Sequence, residues 1–148
     1  MDINGIQIEG QSRSGIGTCF MLPQYKIVLD IGHYSLEAAR FETVFVTHAH
    51  VDHLAGAIQH AFHRSLVGAS PSRFVVPAEV APQIQAIMET WVSLQGELGV
   101  PFVVVPTVPG MVYPVSKDLF IKVVATSHTI PSQGYIVYRV TQKLKPEF

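Results

Sequence analysis

The chain has 148 residues, a formal net charge of −1 and an isoelectric point of about 6.6. This near-neutral balance argues against a domain that binds nucleic acid through a basic surface alone, although metal ions can supply positive charge in place of such a surface. Charged residues make up only 14% of the chain, against roughly 25% in a typical domain. Part of the surface is therefore expected to be covered by the remainder of the same domain or by a partner subunit.

The composition also excludes an internal disulfide and a membrane-spanning helix. No apolar run approaches the ~18 consecutive residues that such a helix requires. Cys19 is the single cysteine of the chain, and its apolar neighbours predict a small buried core residue. A single cysteine fits a reducing compartment, so the expected location is the cytoplasm.

Apolar periodicity predicts alternating strands and helices, which indicates a layered α/β domain. Leu54, Ile58 and Phe62 recur every four residues and predict an amphipathic helix that His53 opens. Isoleucines around Gly5 indicate a short hairpin. The predicted strands cover residues 17–22, 26–30, 43–46, 73–77, 100–105, 119–125 and 134–140, the predicted helices 35–40, 53–66 and 79–98, and the predicted loops 11–17 and 106–114.

Four side chains outside the main motif are predicted to be structural. His60 and His63 lie on the predicted helix and are expected to be solvated or partly packed. His33 is expected to be an exposed loop residue. Trp91 is predicted to be a core residue or an interface anchor rather than a platform for substrate.

The most informative stretch is residues 47–53, Thr-His-Ala-His-Val-Asp-His, which lies directly after a predicted buried strand. It places three histidines and one aspartate at the carboxyl end of that strand, where sites form in layered α/β folds. His48 and His50 can turn toward one centre, and Asp52 and His53 toward a second centre nearby. Imidazole nitrogen and carboxylate oxygen together suit zinc, and also manganese or iron.

This H-x-H-x-D-H spacing resembles the signature of the metallo-β-lactamase superfamily. A second segment, residues 127–135 with the sequence Ser-His-Thr-Ile-Pro-Ser-Gln-Gly-Tyr, resembles the part of ribonuclease Z, a tRNA 3′-end processing endonuclease, that bears the next ligand histidine and a Ser-x-Gly-Tyr turn. The tail over residues 143–148 is similar to the segment that comes next in that family. The likeness runs from about Ser14 to the end of the chain.

The resemblance implies a ligand for each position that matches the family pattern. His48, His50 and His128 would hold one Zn²⁺, and Asp52 and His53 would contribute to a second, with Mn²⁺ or Fe²⁺ as alternatives. A complete site would hold two ions. Asp52 would also be catalytic, because the resemblance implies that it orients or deprotonates the attacking water.

The resemblance further implies an αββα sandwich, of which residues 1–148 would form one domain that is incomplete at its C-terminus. The chain would hold the N-terminal half or more of that fold. Asp30 would support the metal site from outside the ligand shell, with a turn-forming or helix-capping aspartate as an equal alternative. A bridging aspartate, a final histidine ligand and a leaving-group acid of the family pattern are not found in this sequence. We therefore expect either a fragment or a short form completed by a partner chain, and a homodimer is one such arrangement.

The implied activity is metal-dependent hydrolysis of a phosphodiester at the 3′ end of precursor tRNA, after the discriminator base. Two alternatives stay open. The missing basic patch favours a superfamily hydrolase of a small substrate, such as a cyclic nucleotide, a thioester or a lactone. The incomplete ligand set favours a non-catalytic metal-binding subunit, whereas the Ser-x-Gly-Tyr turn favours ribonuclease Z.

Overall fold

Two β-sheets and a layer of helices make up the structure, a computed structural model that describes residues 1–96 and 98–141. Its strands are β1 (Asp2–Ile3), β2 (Ile6–Gln7), β3 (Glu9–Arg13), β4 (Gly17–Leu22), β5 (Ile27–Leu29), β6 (Thr43–Phe45), β7 (Ser72–Pro77), β8 (Phe102–Thr107), β9 (Val112–Pro114), β10 (Leu119–Ala125) and β11 (Gln133–Arg139). Its helices are α1 (Val51–Leu54), α2 (Ala57–Leu66) and α3 (Ala81–Ser93), with 3-10 turns at Pro23–Tyr25, Ala38–Arg40 and Ala78–Val80.

The larger sheet has the strand order β3-β4-β5-β6-β7-β8. Strands β3, β4 and β5 pair antiparallel, whereas β5 to β8 run parallel to one another. Parallel neighbours require crossover connections, which contain α2 between β6 and β7 and α3 between β7 and β8. The smaller sheet is antiparallel in the order β11-β10-β9. The parallel strands thus end at one edge, where the segment after β6 emerges.

Successive side chains of the central strands point to opposite faces of the larger sheet, which produces two separate hydrophobic cores. In β6 and β7, Val44 and Phe74 face the helices, while Phe45 and Val75 face the smaller sheet. All four side chains are fully buried. The described residues therefore form three layers in the order helices, larger sheet and smaller sheet. These are three of the four layers of an αββα sandwich, which confirms the predicted fold class.

The predicted strands over 17–22 and 119–125 are confirmed to the residue as β4 and β10. Two predicted loops were wrong in part. Residues 11–13 belong to β3, where Gln11 pairs with Cys19 of β4, so pairing with a buried neighbour overrides the Ser- and Gly-rich composition. The loop over 106–114 contains the end of β8 and all of β9.

The predicted helix over 53–66 is two helices, because α1 begins earlier, at Val51, and the helix is interrupted before α2. At this interruption the Gly56 N–H donates to the Ile31 carbonyl oxygen at 2.7 Å. A Cβ on Gly56 would lie 2.8 Å from that oxygen. The break therefore lets the chain pack directly against the end of β5. The helix predicted over 79–98 begins at Ala81 as α3 and ends at Ser93.

The expectation that His60 is solvated or partly packed was wrong, because its side chain is fully buried. Its Nε2 lies 3.1 Å from the Ala38 carbonyl oxygen and its Nδ1 lies 2.8 Å from the Ser72 hydroxyl. These partners fit a neutral ring that donates from Nε2 and accepts at Nδ1. A buried polar group is tolerated when both of its sites are satisfied in this way.

The other predicted structural residues lie nearer the surface. His63 is half-buried and forms a hydrogen bond with the Tyr34 hydroxyl. His33 is half-buried rather than exposed. Trp91 is 48% exposed, so it does not belong to the core. The tail over residues 143–148 lies outside the described residues. In the described part of the chain, no helix has the length and apolar character needed to cross a membrane.

Candidate metal centre

Backbone hydrogen bonds join the segment after β6 to the segment that precedes β11. The Gln133 N–H donates to the Thr47 carbonyl oxygen at 2.9 Å, and His48 forms an antiparallel bridge with Ser132. These contacts connect the ends of the two sheets. The segment that comes after β10 and bears His128 is thereby held against the histidine loop.

Three imidazole rings converge where these two segments meet. One ring nitrogen from each of His48, His50 and His128 lies within 4.8 Å of the others. The closest pair is His128 Nε2 and His50 Nδ1 at 3.2 Å. His48 is buried, His50 is half-buried and His128 is exposed, so the group opens to solvent on one side.

The donor chemistry of this group fits a divalent cation. A tetrahedral ion with Zn–N bonds of about 2.0–2.1 Å brings two ligand nitrogens to about 3.3–3.4 Å of each other, close to the separation of the closest pair here. Three imidazole ligands suit zinc, and also iron, copper or nickel.

Asp52 and His53 lie beside this triad. The rings of His48 and His53 are 4.0 Å apart between centroids, and His53 Nε2 is 3.8 Å from Asp52 Oδ2. The Gly15 N–H donates to that same oxygen at 2.7 Å and is the main reason that the pKa of Asp52 is below its usual value. The structure therefore brings all five sequence-predicted site residues into one region, with Asp52 ionised.

Asp30 orients His53 directly and His48 through the Thr47 hydroxyl. Its carboxylate lies 2.8 Å from His53 Nδ1 and accepts hydrogen bonds from the Thr47 N–H at 2.7 Å and from the Thr47 hydroxyl at 3.0 Å. That hydroxyl is also 2.9 Å from His48 Nδ1. If both Nδ1 atoms carry the proton, the Nε2 atoms of His48 and His53 are left as free ligand atoms, a common arrangement around metal-binding histidines.

Burial raises the pKa of Asp30, and its hydrogen bonds to Thr47 and His53 oppose that rise. The residue adopts a left-handed backbone with φ of 56°, which aspartate tolerates better than most residues. It caps no helix of the described chain, so the supporting position is the one that the structure favours over helix capping. The role of Thr47 was missed in the sequence analysis, because a threonine beside a ligand has no distinctive spacing.

Gly32 allows the ligand loop to lie against the end of β5. A Cβ on this residue would fall 1.7 Å from the Asp52 carbonyl oxygen and 2.7 Å from the His53 nitrogen. The neighbouring Ile31 N–H donates to the His53 carbonyl oxygen at 2.8 Å. The main chain of the ligand loop is therefore seated on a position that only glycine can occupy.

Tyr135, which was expected in a Ser-x-Gly-Tyr turn, lies in β11 and connects the smaller sheet to the strands next to the site. Its hydroxyl lies 2.6 Å from the Val46 carbonyl oxygen and 3.1 Å from that of Val75. The Gln133 side-chain amide donates to the same hydroxyl at 2.6 Å, and burial raises the pKa of Tyr135. This neutral hydroxyl fixes the register between the two sheets near the metal centre.

Burial, and secondarily the neighbouring imidazoles, lower the pKa of His48 to about 4. Burial likewise lowers the pKa of His60 to about 4. Both rings are therefore neutral at pH 7. For His48 this leaves a lone pair available to a cation.

These shifts predict a loss of stability of the metal-free protein in acid. The unfolded chain binds a proton at His60 below pH 6.5, whereas the folded chain does so only near pH 4. The free energy of unfolding should thus be undiminished above pH 6.5 and fall by roughly 3 kcal/mol between pH 6.5 and 4 for this residue. The difference in urea unfolding between a His48→Ala variant and a His48→Ala/His60→Gln variant, measured across this pH range, isolates the His60 contribution. A flat profile over that range would contradict the prediction.

Comparison with known proteins identifies relatives along the entire chain. Nuclear ribonuclease Z of Triticum aestivum is 33% identical over 149 residues, covering 100% of this chain and 84% of that protein. Two Arabidopsis thaliana proteins also align with 100% of the chain: tRNase Z TRZ1 at 34% identity over 52% of its length, and chloroplastic tRNase Z TRZ2 at 31% over 42%. The chain thus spans about half the length of these two relatives. No protein-family model matches it.

Solved structures show the same fold. Human tRNase Z, short form, superimposes with a TM-score of 0.66 at 21% identity, covering 90% of this chain and 64% of that one. The metallo-β-lactamase fold protein YhfI of Bacillus subtilis has a TM-score of 0.59 at 12% identity, covering 86% of this chain and 53% of that one. At these identities the likeness establishes the metallo-β-lactamase fold.

Proposed function

Because the chain belongs to the ribonuclease Z family, we propose that the protein is a metal-dependent phosphodiesterase that cleaves precursor tRNA at its 3′ end. The observation that supports this proposal most strongly is the convergence of His48, His50 and His128 from two different strand ends. Core packing does not require such a convergence, since only one of the three rings is buried. It does suit an ion placed at the carboxyl ends of the strands.

We propose that His48, His50 and His128 hold one Zn²⁺ and that Asp52 and His53 contribute to a second. Mn²⁺ and Fe²⁺ are the alternatives that this donor set also accepts. When bound, such ions lower the pKa of a coordinated water and offset negative charge on a phosphate.

Two side chains are proposed to transfer the proton and to orient the metal ligands. The Asp52 carboxylate is ionised, and its Oδ2 is fixed by the Gly15 N–H. Its other oxygen is available to accept a proton from the attacking water, which is the role of a general base. Asp30 keeps two ligand rings in one tautomer through direct contact with His53 and through the Thr47 hydroxyl to His48. Asp30 is thus a positioning residue and Asp52 the catalytic one.

The proposal predicts cleavage of a 3′-extended precursor tRNA after the discriminator base when the protein is supplied with Zn²⁺ or Mn²⁺. An Asp52→Asn variant should cleave at least about 100-fold more slowly, within the range that general-base catalysis contributes. Product length on a denaturing gel measures both results. Asp118→Asn, which alters an exposed carboxylate paired with Arg139, is the matched control. Failure of the metal-loaded protein to cut any 3′-extended precursor would contradict the proposal.

Hydrolysis of a small substrate, such as a cyclic nucleotide, a thioester or a lactone, is a second candidate, because five of the ten Lys and Arg residues line a cleft around Phe45 and Tyr113, away from the metal centre. A substrate that needs no basic surface would be compatible with this distribution. Bis(p-nitrophenyl) phosphate and a thioester distinguish the two small-substrate chemistries. Turnover of a thioester without turnover of any phosphodiester would favour this branch of the superfamily over the nuclease.

We also propose that the protein works as a homodimer or with a completing chain, and that it resides in the cytoplasm. The apolar side chains exposed on α3, Trp91 among them, support a surface that a partner covers.

The proposed location in the cytoplasm rests on the single cysteine. The buried thiol of Cys19, whose pKa burial raises to about 11, is compatible with a reducing compartment. Two relatives of this protein carry a nuclear and a chloroplastic name, so cell fractionation is the measurement that tests the location.

A further inference from the structure

A cleft of about 600 Å³ opens at the end of the sandwich opposite to the metal centre. It lies between the two sheets, at the amino ends of β6 and β7 and beside the turn between β9 and β10. Thr43 lines this cleft, and His48 lies five residues further along β6 and the segment after it. At ~3.3 Å per residue, Thr43 is up to about 16 Å from His48 along the chain, and Phe45, which also lines the cleft, is up to about 10 Å from it.

Half of the Lys and Arg residues in the chain line this one cleft. The chain has ten such residues, and their positions in the sequence are dispersed, so only folding brings them together. Among the residues that the structure describes, Glu42 is the single acidic one in the lining. The basic residues are Lys26, Arg40, Arg64, Arg73 and Arg139.

Three of these guanidinium groups are anchored so that their terminal N–H groups stay available. Arg73 Nε donates to the Tyr113 hydroxyl at 3.2 Å, and Arg139 Nε lies 3.1 Å from the Asp118 carboxylate. Arg40 rests over the Phe41 ring at 5.8 Å. Within residues 1–96 and 98–141, the terminal nitrogens of these three arginines have no hydrogen-bond partner.

Arg64 has a different role, because it is buried and its three nitrogens bind its own chain. They donate to the carbonyl oxygens of Ala39 and Ser70 and to the Ser70 hydroxyl at 2.8–3.0 Å. The Ser70 hydroxyl in turn donates to Glu42 at 2.8 Å, and Glu42 also lies 3.9 Å from Arg73 Nε. Glu42 is thus partly engaged by Ser70 and Arg73, and Asp118 pairs with Arg139. The five basic side chains of the lining still outnumber these two acidic ones.

We propose that this cleft is a second ligand site, distinct from the metal centre, for a small organic molecule that bears a phosphate group. Forked guanidinium groups bind phosphate oxygens in pairs. The cavity has the size of ordinary small-molecule sites, about 300–1,000 Å³. Tyr25 and Val115 in its wall offer apolar surface to the organic part. The cleft lies at the amino ends of β6 and β7, whereas the metal centre lies after the carboxyl end of β6, which favours a separate small ligand.

Isothermal titration of the metal-free protein with adenosine 5′-monophosphate, adenosine and inorganic phosphate tests this proposal. The monophosphate should bind, and adenosine should not. Arg40→Gln, whose side chain makes no hydrogen bond in the described structure, and Arg73→Gln should each weaken binding by about tenfold. Lys122→Gln, which removes an exposed charge outside the cleft, is the matched control and should leave binding unchanged.

A His48→Ala variant separates this site from the metal centre, because it should bind the monophosphate as the unmodified protein does. Loss of binding in that variant would assign the ligand to the metal centre and overturn the proposal. Binding of inorganic phosphate without the monophosphate would overturn the proposal, because the organic part would then not be accommodated. Binding of an RNA oligonucleotide, titrated as a fourth probe, without the monophosphate would overturn it in favour of a nucleic-acid surface, and binding of no probe would overturn it outright. The result does not depend on nuclease activity.

Discussion

A His128→Ala variant is expected to lose phosphodiester cleavage by more than about 100-fold while remaining folded. Loss of a group that only orients a metal ligand typically costs 10–100-fold in affinity or activity, so loss of a ligand should cost more. His128 is exposed and lies beyond the end of β10, and exposed substitutions usually change stability by no more than about 0.5 kcal/mol. The His128→Ala variant should therefore lose cleavage activity while its stability stays nearly unchanged.

Zinc content after dialysis, measured by mass spectrometry, tests this expectation together with the cleavage rate. Thr129→Ala, which alters the next exposed residue in the same segment, is the control and should retain both metal and activity. A His128→Ala protein that keeps its zinc stoichiometry and its rate would show that the strand-end convergence is not a ligand set.

A Gly32→Ala variant is expected to be severely destabilised or to lose the geometry of the ligand loop. The added Cβ would sit 1.7 Å from the Asp52 carbonyl oxygen, and that atom is main chain, so no rotamer change relieves the clash. Overpacking usually costs about 1–3 kcal/mol, and a backbone clash of this depth should exceed that range. Because the loop bears the metal ligands, bound metal should fall together with stability.

Urea unfolding of the metal-free protein measures the cost in stability. Gly99→Ala is the matched control, because a Cβ at Gly99 meets nothing within 4 Å and its backbone is not left-handed. Alanine at such a position usually has a neutral or slightly stabilising effect of about 0.4–1 kcal/mol. Equal stability of the two alanine variants would show that the contact between β5 and the ligand loop is not as tight as described.

Local patterns predicted the parts of the fold that depend on short-range periodicity. The strands over 17–22 and 119–125 are apolar runs bounded by turns, and the histidine loop was predicted from the placement of residues 47–53 after a buried strand. The loop predicted over residues 11–17 was wrong for the end of the edge strand β3, whose polar residues pair with β4 through the main chain. Backbone pairing leaves almost no mark on composition when the strand lies at an edge.

The contacts that support the site are long-range, so local sequence patterns could not predict them, and the supporting role of Asp30 was implied only by the family resemblance. Asp30 reaches Thr47 and His53 across 17 and 23 residues, and Gly32 meets Asp52 only because two chain segments cross. The burial of His60 depends on Ser72 and Ala38, which come from other elements. Dispersed arginines likewise gather in one cleft only after folding.

The measurement that tests the central claim most directly is a crystal structure of the zinc-soaked protein with anomalous scattering recorded at the zinc edge. We predict an anomalous peak bonded to nitrogens of His48, His50 and His128 at about 2.0–2.1 Å. A fully zinc-saturated crystal in which the three rings bind no ion would contradict the assignment of this strand-end cluster as a metal centre.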